Sequence, residues 1–171
     1  ENQNPGSTLW YFSQNGRIKA DDAIGQIAGY ASATSANKGG AINFHVSVSP
    51  AQNFTIDFFR MGWYGGAGGR LMQSTGALSG IKQPDCPIDA QTGLVQCNWS
   101  NSYTLNVPAS WTTGIYIAML TNAQNYQQQV VFVVRDDGRT ADFLYHQPVF
   151  TYQAYNNWPA GTATGKSLYA Y

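Results

Sequence analysis

The stretch AINFHVSVS, residues 41–49, sets the fold class. Ile42, Phe44, Val46 and Val48 fall on one side of an extended chain, and Asn43, His45 and Ser47 fall on the other. Alternation with a period of two is the mark of a strand with one buried face, and Pro50 ends it. Working outward, FTIDFFRMGWY (54–64) places Phe54, Ile56 and Phe58 on one side, and SYTLNVP (102–108) does the same with Tyr103, Leu105 and Val107. GIYIAMLTN (114–122) and QQQVVFVVRDD (127–137) read as a hairpin around Ala123–Tyr126, with Trp111 and Gly114 at a corner before it. IGQIAGYASA (24–33) and RLMQSTGAL (70–78) complete the set, while SANKGG (35–40) and GGAGG (65–69) read as turns.

Seven or eight strands result, about 10–15 residues apart, with no convincing amphipathic helix. The expected fold is all-β, an immunoglobulin-like antiparallel β-sandwich with an extended C-terminal tail. The Cys–Trp–Cys pattern of antibody domains is missing, so strand count and alternation carry this expectation. The expected organisation is an irregular lead-in over 1–16 pinned by Trp10, Tyr11 and Phe12, a sandwich over 17–137, and a tail over 138–171. The tail is too short to bury a core by itself.

Composition narrows the function classes. Charged residues are only 11% of the 171 residues, and nine Lys and Arg balance nine Asp and Glu. A nucleic-acid binder needs a basic face to displace counterions, so none is expected as a partner. No apolar run is long enough for a membrane span, and no signal peptide is visible, as in any mature secreted chain. Asn and Gln together number 27, whereas Glu occurs once, at Glu1. Such an amide-rich surface is common outside the cell. Cys86 and Cys97 flank a turn-rich loop and are expected to form a disulfide, which favours a secreted or periplasmic location. A zinc site built from these cysteines with His45 and His146 lacks suitable spacing.

No catalytic constellation stands out, so the catalytic residues stay unassigned. A lone terminal Glu excludes a glycosidase pair, and no G-x-S-x-G nucleophile elbow exists. AGTATGKS (160–167) fits a loose phosphate-binding loop, but only four residues follow it, so a surface loop is expected there. Trp63 and Tyr64, beside the glycines of GWYGGAGGR (62–70), suit packing or stacking on a sugar face. Neither a metal nor another cofactor is expected in this chain.

Four segments together resemble a known family: GYASATSANKGGAINFHVS (29–47), IDFFRMGWYGGAGGR (56–70), CPIDAQTGLVQCNW (86–99) and YQAYNNW…KSLY (152–169). The combination resembles the N,N-dimethylformamidase large (beta) subunit-like proteins, in the secreted bacterial branch that begins with an immunoglobulin-like domain. The likeness spans about residues 5–171 and is most specific at R-x-G-W-Y-G-G-x-G-G-R (60–70). It implies that the segment from Thr140 and Ala141 onward resembles the first strand of a following α/β domain, and that AYNNW…SLY resembles that domain's opening loop. The family's enzyme hydrolyses an amide at a mononuclear iron held by tyrosines and a glutamate. This chain has no internal Glu, so it departs from that ligand set, and PAGTATG (159–165) departs from the more compact family motif.

The resemblance implies a noncatalytic accessory domain of an amidohydrolase. Its candidate contact residues are Trp63, Tyr64, Tyr152, Tyr155 and Trp158. Its expected partner is the rest of the parent protein, or a second copy, through residues 141–158. The alternatives are a stand-alone carbohydrate-binding or adhesion module, and a small metal-dependent hydrolase using Tyr155, His146 and Asp142.

Overall fold

The computed structural model describes residues 1–159 and 167–170. Ten strands build it: β1 (Ile18–Lys19), β2 (Ile27–Ala31), β3 (Ser35–Asn37), β4 (Ala41–Val48), β5 (Asn53–Met61), β6 (Gly69–Ser74), β7 (Leu78–Ser79), β8 (Tyr103–Asn106), β9 (Gly114–Asn122) and β10 (Tyr126–Arg135). One helix, α1 (Val149–Tyr155), follows. The strands form two sheets. The larger runs β1-β10-β9-β5-β6, with β3 on β10 and β7 on β5, and the smaller runs β2-β4-β8.

The alternation at 41–49 does what its period requires. Ile42, Phe44, Val46 and Val48 are all at most 2% exposed, and they meet the inward residues of the larger sheet in one core. Phe44 lies edge-on to Phe58 at 5.4 Å and to Phe132 at 5.5 Å, so one ring of the smaller sheet is gripped by two of the larger. Trp111 stacks on Tyr116 at 4.9 Å and closes one end of this cluster. Edge-on and offset rings gain electrostatic energy beyond the area they bury. Gly29 is required where β2 crosses the core, because a Cβ there would lie 2.6 Å from Leu120.

Strands read over 24–33 and 54–64 are shorter, at Ile27–Ala31 and Asn53–Met61, and two segments differ in kind. SANKGG was expected as a turn, yet Ser35–Asn37 pair in parallel with Val133–Arg135. This pairing is made by backbone, and only Ala36 is buried. The tail was expected without a helix, yet α1 spans one short stretch after Pro148. Proline with its preset φ suits a helix start, but no residue of α1 is buried. The hairpin around Ala123–Tyr126 forms as expected, with Gln127 opposite Thr121.

The outer face of the larger sheet is covered by residues 1–16. Ser7 bridges to Gly69 at one edge, the Trp10 indole N–H donates to the Ala67 carbonyl, and the Gln129 amide donates to the Trp10 carbonyl. The lead-in thereby crosses from β6 to β10, and Phe59, Ile117 and Met119 on that face are buried.

Truncating the gripped rings tests this account. Phe58→Ala is expected to lower stability by about 3–5 kcal/mol through lost burial and the remaining cavity, measured by urea denaturation. A loss under about 1 kcal/mol would show that Phe58 does not join the sheets.

Candidate functional site

A surface cleft beside β2 has a volume of about 560 Å³. That lies in the range of small-molecule sites. Four separate parts of the chain line it: Ala28–Ala31 of β2, Val95–Cys97 with Trp99, Gln128 and Gln129 of β10, and Gln153 with Asn156–Trp158 after α1; Asp22 lies among them.

Its floor is a strand edge. The Gln26 carbonyl accepts from Ser49, and the Ser32 amide donates to Asn43. In an antiparallel pair, alternate residues bond the same neighbour. Residues 26, 28, 30 and 32 therefore face β4, and the backbone groups of Gly29 and Ala31 face the cleft.

Its aromatic wall rests on the outer face of the smaller sheet. Tyr30 stacks on His45 at 4.8 Å and tilts against Trp99 at 5.4 Å. The Tyr30 hydroxyl accepts from the Trp99 amide and donates to the Cys97 carbonyl. His45 Nδ1 lies 2.8 Å from the Trp99 carbonyl, and the Trp99 indole donates to the Pro84 carbonyl. The Cys86–Cys97 disulfide closes the loop that carries these groups. Buried Gln83 ties the loop to Ser47 and Ser100. Trp158 then meets Trp99 edge-on at 6.0 Å.

The glycine-rich stretch 62–69 has a packing role. Tyr64 adopts φ +42° and is 3% exposed, while Trp63 beside it is 70% exposed. Gly68 has φ +80°, and a Cβ there would lie 2.7 Å from the Trp10 ring, so glycine is needed on both counts. Arg60 donates to the Tyr64 hydroxyl at 2.8 Å, which in turn donates to the Glu1 carboxylate at 2.9 Å. Arg70 donates to the same carboxylate oxygen at 2.8 Å.

Burial pushes the Tyr64 and Tyr116 hydroxyls above the ordinary tyrosine value. Burial alone would raise the Glu1 carboxyl too, but hydrogen bonds from Arg70 and Tyr64, with the charges of Arg70 and Arg60, hold it below its usual value.

Of the candidate contact residues named from the sequence, Trp158 lines the cleft, as does Cys97 of the expected disulfide. Trp63 and Tyr64 adjoin the lead-in, where the Trp63 amide donates to Asn2. Tyr152 and Tyr155 sit on the exposed α1, and Tyr155 stacks on Tyr169 at 4.6 Å. Asp142 lines a smaller depression of about 280 Å³ with Asp136, Arg139 and Phe143, to which neither His146 nor Tyr155 contributes. Tyr30, His45 and Trp99 were missed as a group. Alternation placed His45 on the outer face, but nothing local to it signals Trp99, 54 residues away. The phosphate-loop candidate lies, except for Ser167, outside the described residues.

The described residues do not fit the iron site of the resembled enzyme. Its glutamate has no counterpart beside Tyr152 or Tyr155, because Glu1 is engaged by Arg70 and Tyr64. Among the described residues, no group of three or more His, Cys, Asp or Glu side chains could hold a metal ion. No described helix is long and apolar enough to cross a membrane.

The Glu1 network gives a pH signature. Its folded pKa is depressed, so its contribution is complete above the unfolded value of 4.5 and is lost as pH falls through the folded one. The stability gap between the parent chain and Glu1→Gln is expected to be present at neutral pH and to shrink below about pH 4, read by thermal denaturation. A gap that grows on acidification would contradict the assigned contacts.

No curated protein matches this chain in sequence. One solved structure, Pseudomonas fluorescens alkylpurine DNA glycosylase AlkC bound to DNA containing an abasic site analog, is similar at 9% identity and a TM-score of 0.35, over 70% of this chain and 32% of that one. This chain therefore spans about a third of that protein. Residues 55–171 match the family described as N,N-dimethylformamidase beta subunit-like, C-terminal, and the chain belongs to that family.

Proposed function

We propose that this chain is a noncatalytic accessory domain of a secreted bacterial amidohydrolase-like protein, and that its partner is the remainder of that protein. The observation that carries this reading is the tail. Phe143 is 93% exposed, Leu144 95% and Phe150 85%. Large apolar side chains in one short segment, left in water, mark a surface that another body covers. In this reading the body is an α/β domain of the same protein, as the sequence resemblance implies, and residues 138–171 are its opening segment.

The strand order supports the immunoglobulin-like part of the reading. β2 pairs with β4, the chain then changes sheets, and β3 pairs in parallel with β10. Two mainly antiparallel sheets packed face to face over one core are the architecture of an immunoglobulin-type sandwich. The disulfide at Cys86–Cys97 supports a secreted or periplasmic setting.

In this role the chain positions the catalytic part without touching its substrate. The lead-in, the glycine-rich turn and the disulfide-bonded loop fix both outer faces of the sandwich, so the tail leaves from a rigid base. Supplied with iron and a small amide such as N,N-dimethylformamide, this chain alone is expected to release no amine above the buffer rate. Turnover at or above about 1 s⁻¹ would overturn the accessory role.

A further inference from the structure

We propose that the 560 Å³ cleft beside β2 is a binding site for a neutral, hydroxyl-rich ligand of the mono- or disaccharide class. This goes beyond the accessory role and stands independently of it.

Three features of the lining point to this chemistry. First, the wall is aromatic where a sugar ring needs an apolar surface. Tyr30 and the half-buried Trp158 line the cleft, and Trp99 braces both of them. Aromatic rings bury the C–H face of a pyranose while hydroxyls at its rim stay free to hydrogen-bond.

Second, the polar groups are carboxamides, each able to donate and accept. Among the described residues, the exposed side-chain amides of Gln96 and Asn157 have no hydrogen-bond partner. The outward backbone groups of Gly29 and Ala31 add further donors and acceptors, following from the pairing of β2 with β4.

Third, charge is nearly absent. Among the described lining residues Asp22 is the only charged side chain, and one of its oxygens accepts from Gln128 at 2.8 Å. Among the described lining residues there is no lysine or arginine to hold a phosphate, sulfate or carboxylate. A peptide added to the free edge fits less well. β2 has five residues, of which only Gly29 and Ala31 turn their backbone groups into the cleft, short of a usual strand pairing of about 5–6 residues.

The occupant is therefore read by stacking and by amides rather than by charge. The disulfide-bonded loop and the segment after α1 must both be in place, because each supplies one side of the aromatic wall.

Titration of the full chain with neutral disaccharides (cellobiose, maltose and N,N′-diacetylchitobiose), followed by tryptophan fluorescence and calorimetry, tests the proposal. At least one is expected to give saturable binding with a Kd on the order of 0.1–1 mM. Trp158→Ala is expected to weaken it by about tenfold or more, the scale of one lost aromatic contact. Gln96→Ala is expected to weaken it by roughly fivefold, the scale of one hydrogen bond. Trp63→Ala, outside the cleft, should leave it unchanged.

Circular dichroism of each variant separates lost binding from lost folding, and Gln96→Ala, at an exposed loop position, keeps the test alive if Trp158→Ala unfolds. No saturable binding by any of the three sugars at concentrations of about 10 mM would overturn the proposal. So would binding that Trp63→Ala abolishes and Trp158→Ala spares, or saturable binding of a neutral extended peptide in place of sugar. The amide-hydrolysis assay is unaffected by any of these results, so failure here and failure of the accessory role are distinguishable.

Discussion

The grip of Phe58 and Phe132 on Phe44 is the interaction on which the rest of the molecule depends. It joins two sheets that share no continuous hydrogen-bonded ladder. With only 11% charged residues and three ion pairs among the described residues, one of which is well exposed, the chain gains little from charge pairing. Burial of apolar area has to supply most of the stability, and these rings lie at its centre.

A sandwich with so few charges must also dispose of its outer faces. The larger sheet buries Phe59, Ile117 and Met119 on its outer side beneath residues 1–16. The smaller sheet is covered by the loop that the disulfide closes, which is seated through Gln83 and Trp99. The two covers are built differently. One rests on glycines that let the Trp10 ring approach the backbone, and the other rests on a covalent bridge with aromatic stacking. The cleft lies at the free edge of β2, with the disulfide-bonded loop as one of its sides.

Strand identity was legible wherever burial is one-sided. The alternation in 41–49 led to a strand within one residue of the observed limits, and 114–122, buried on both faces, was legible instead as one arm of a hairpin. β3 was not legible, because pairing through three residues needs only backbone and leaves a turn-like sequence. Tyr64 was ambiguous for another reason. A left-handed backbone at that position turns its ring inward and leaves Trp63 outside, a division that adjacency in sequence does not reveal. The cleft was hidden altogether, since it assembles residues from 22 to 158 by topology. Of its lining, the sequence points to Trp158 through the family resemblance and to Cys97 through the paired cysteines, and neither signal reveals a cleft.

A rigid aromatic core lies beside an open strand edge, and amide hydrogen exchange observed residue by residue reads both at once. The amides of Phe58, Ala118 and Phe132 should exchange only through global unfolding, whereas those of Gly29 and Ala31, which face the cleft, should exchange many times faster. Equal, strong protection of Gly29 and Ala31, or a slowest set located in α1, would contradict this arrangement.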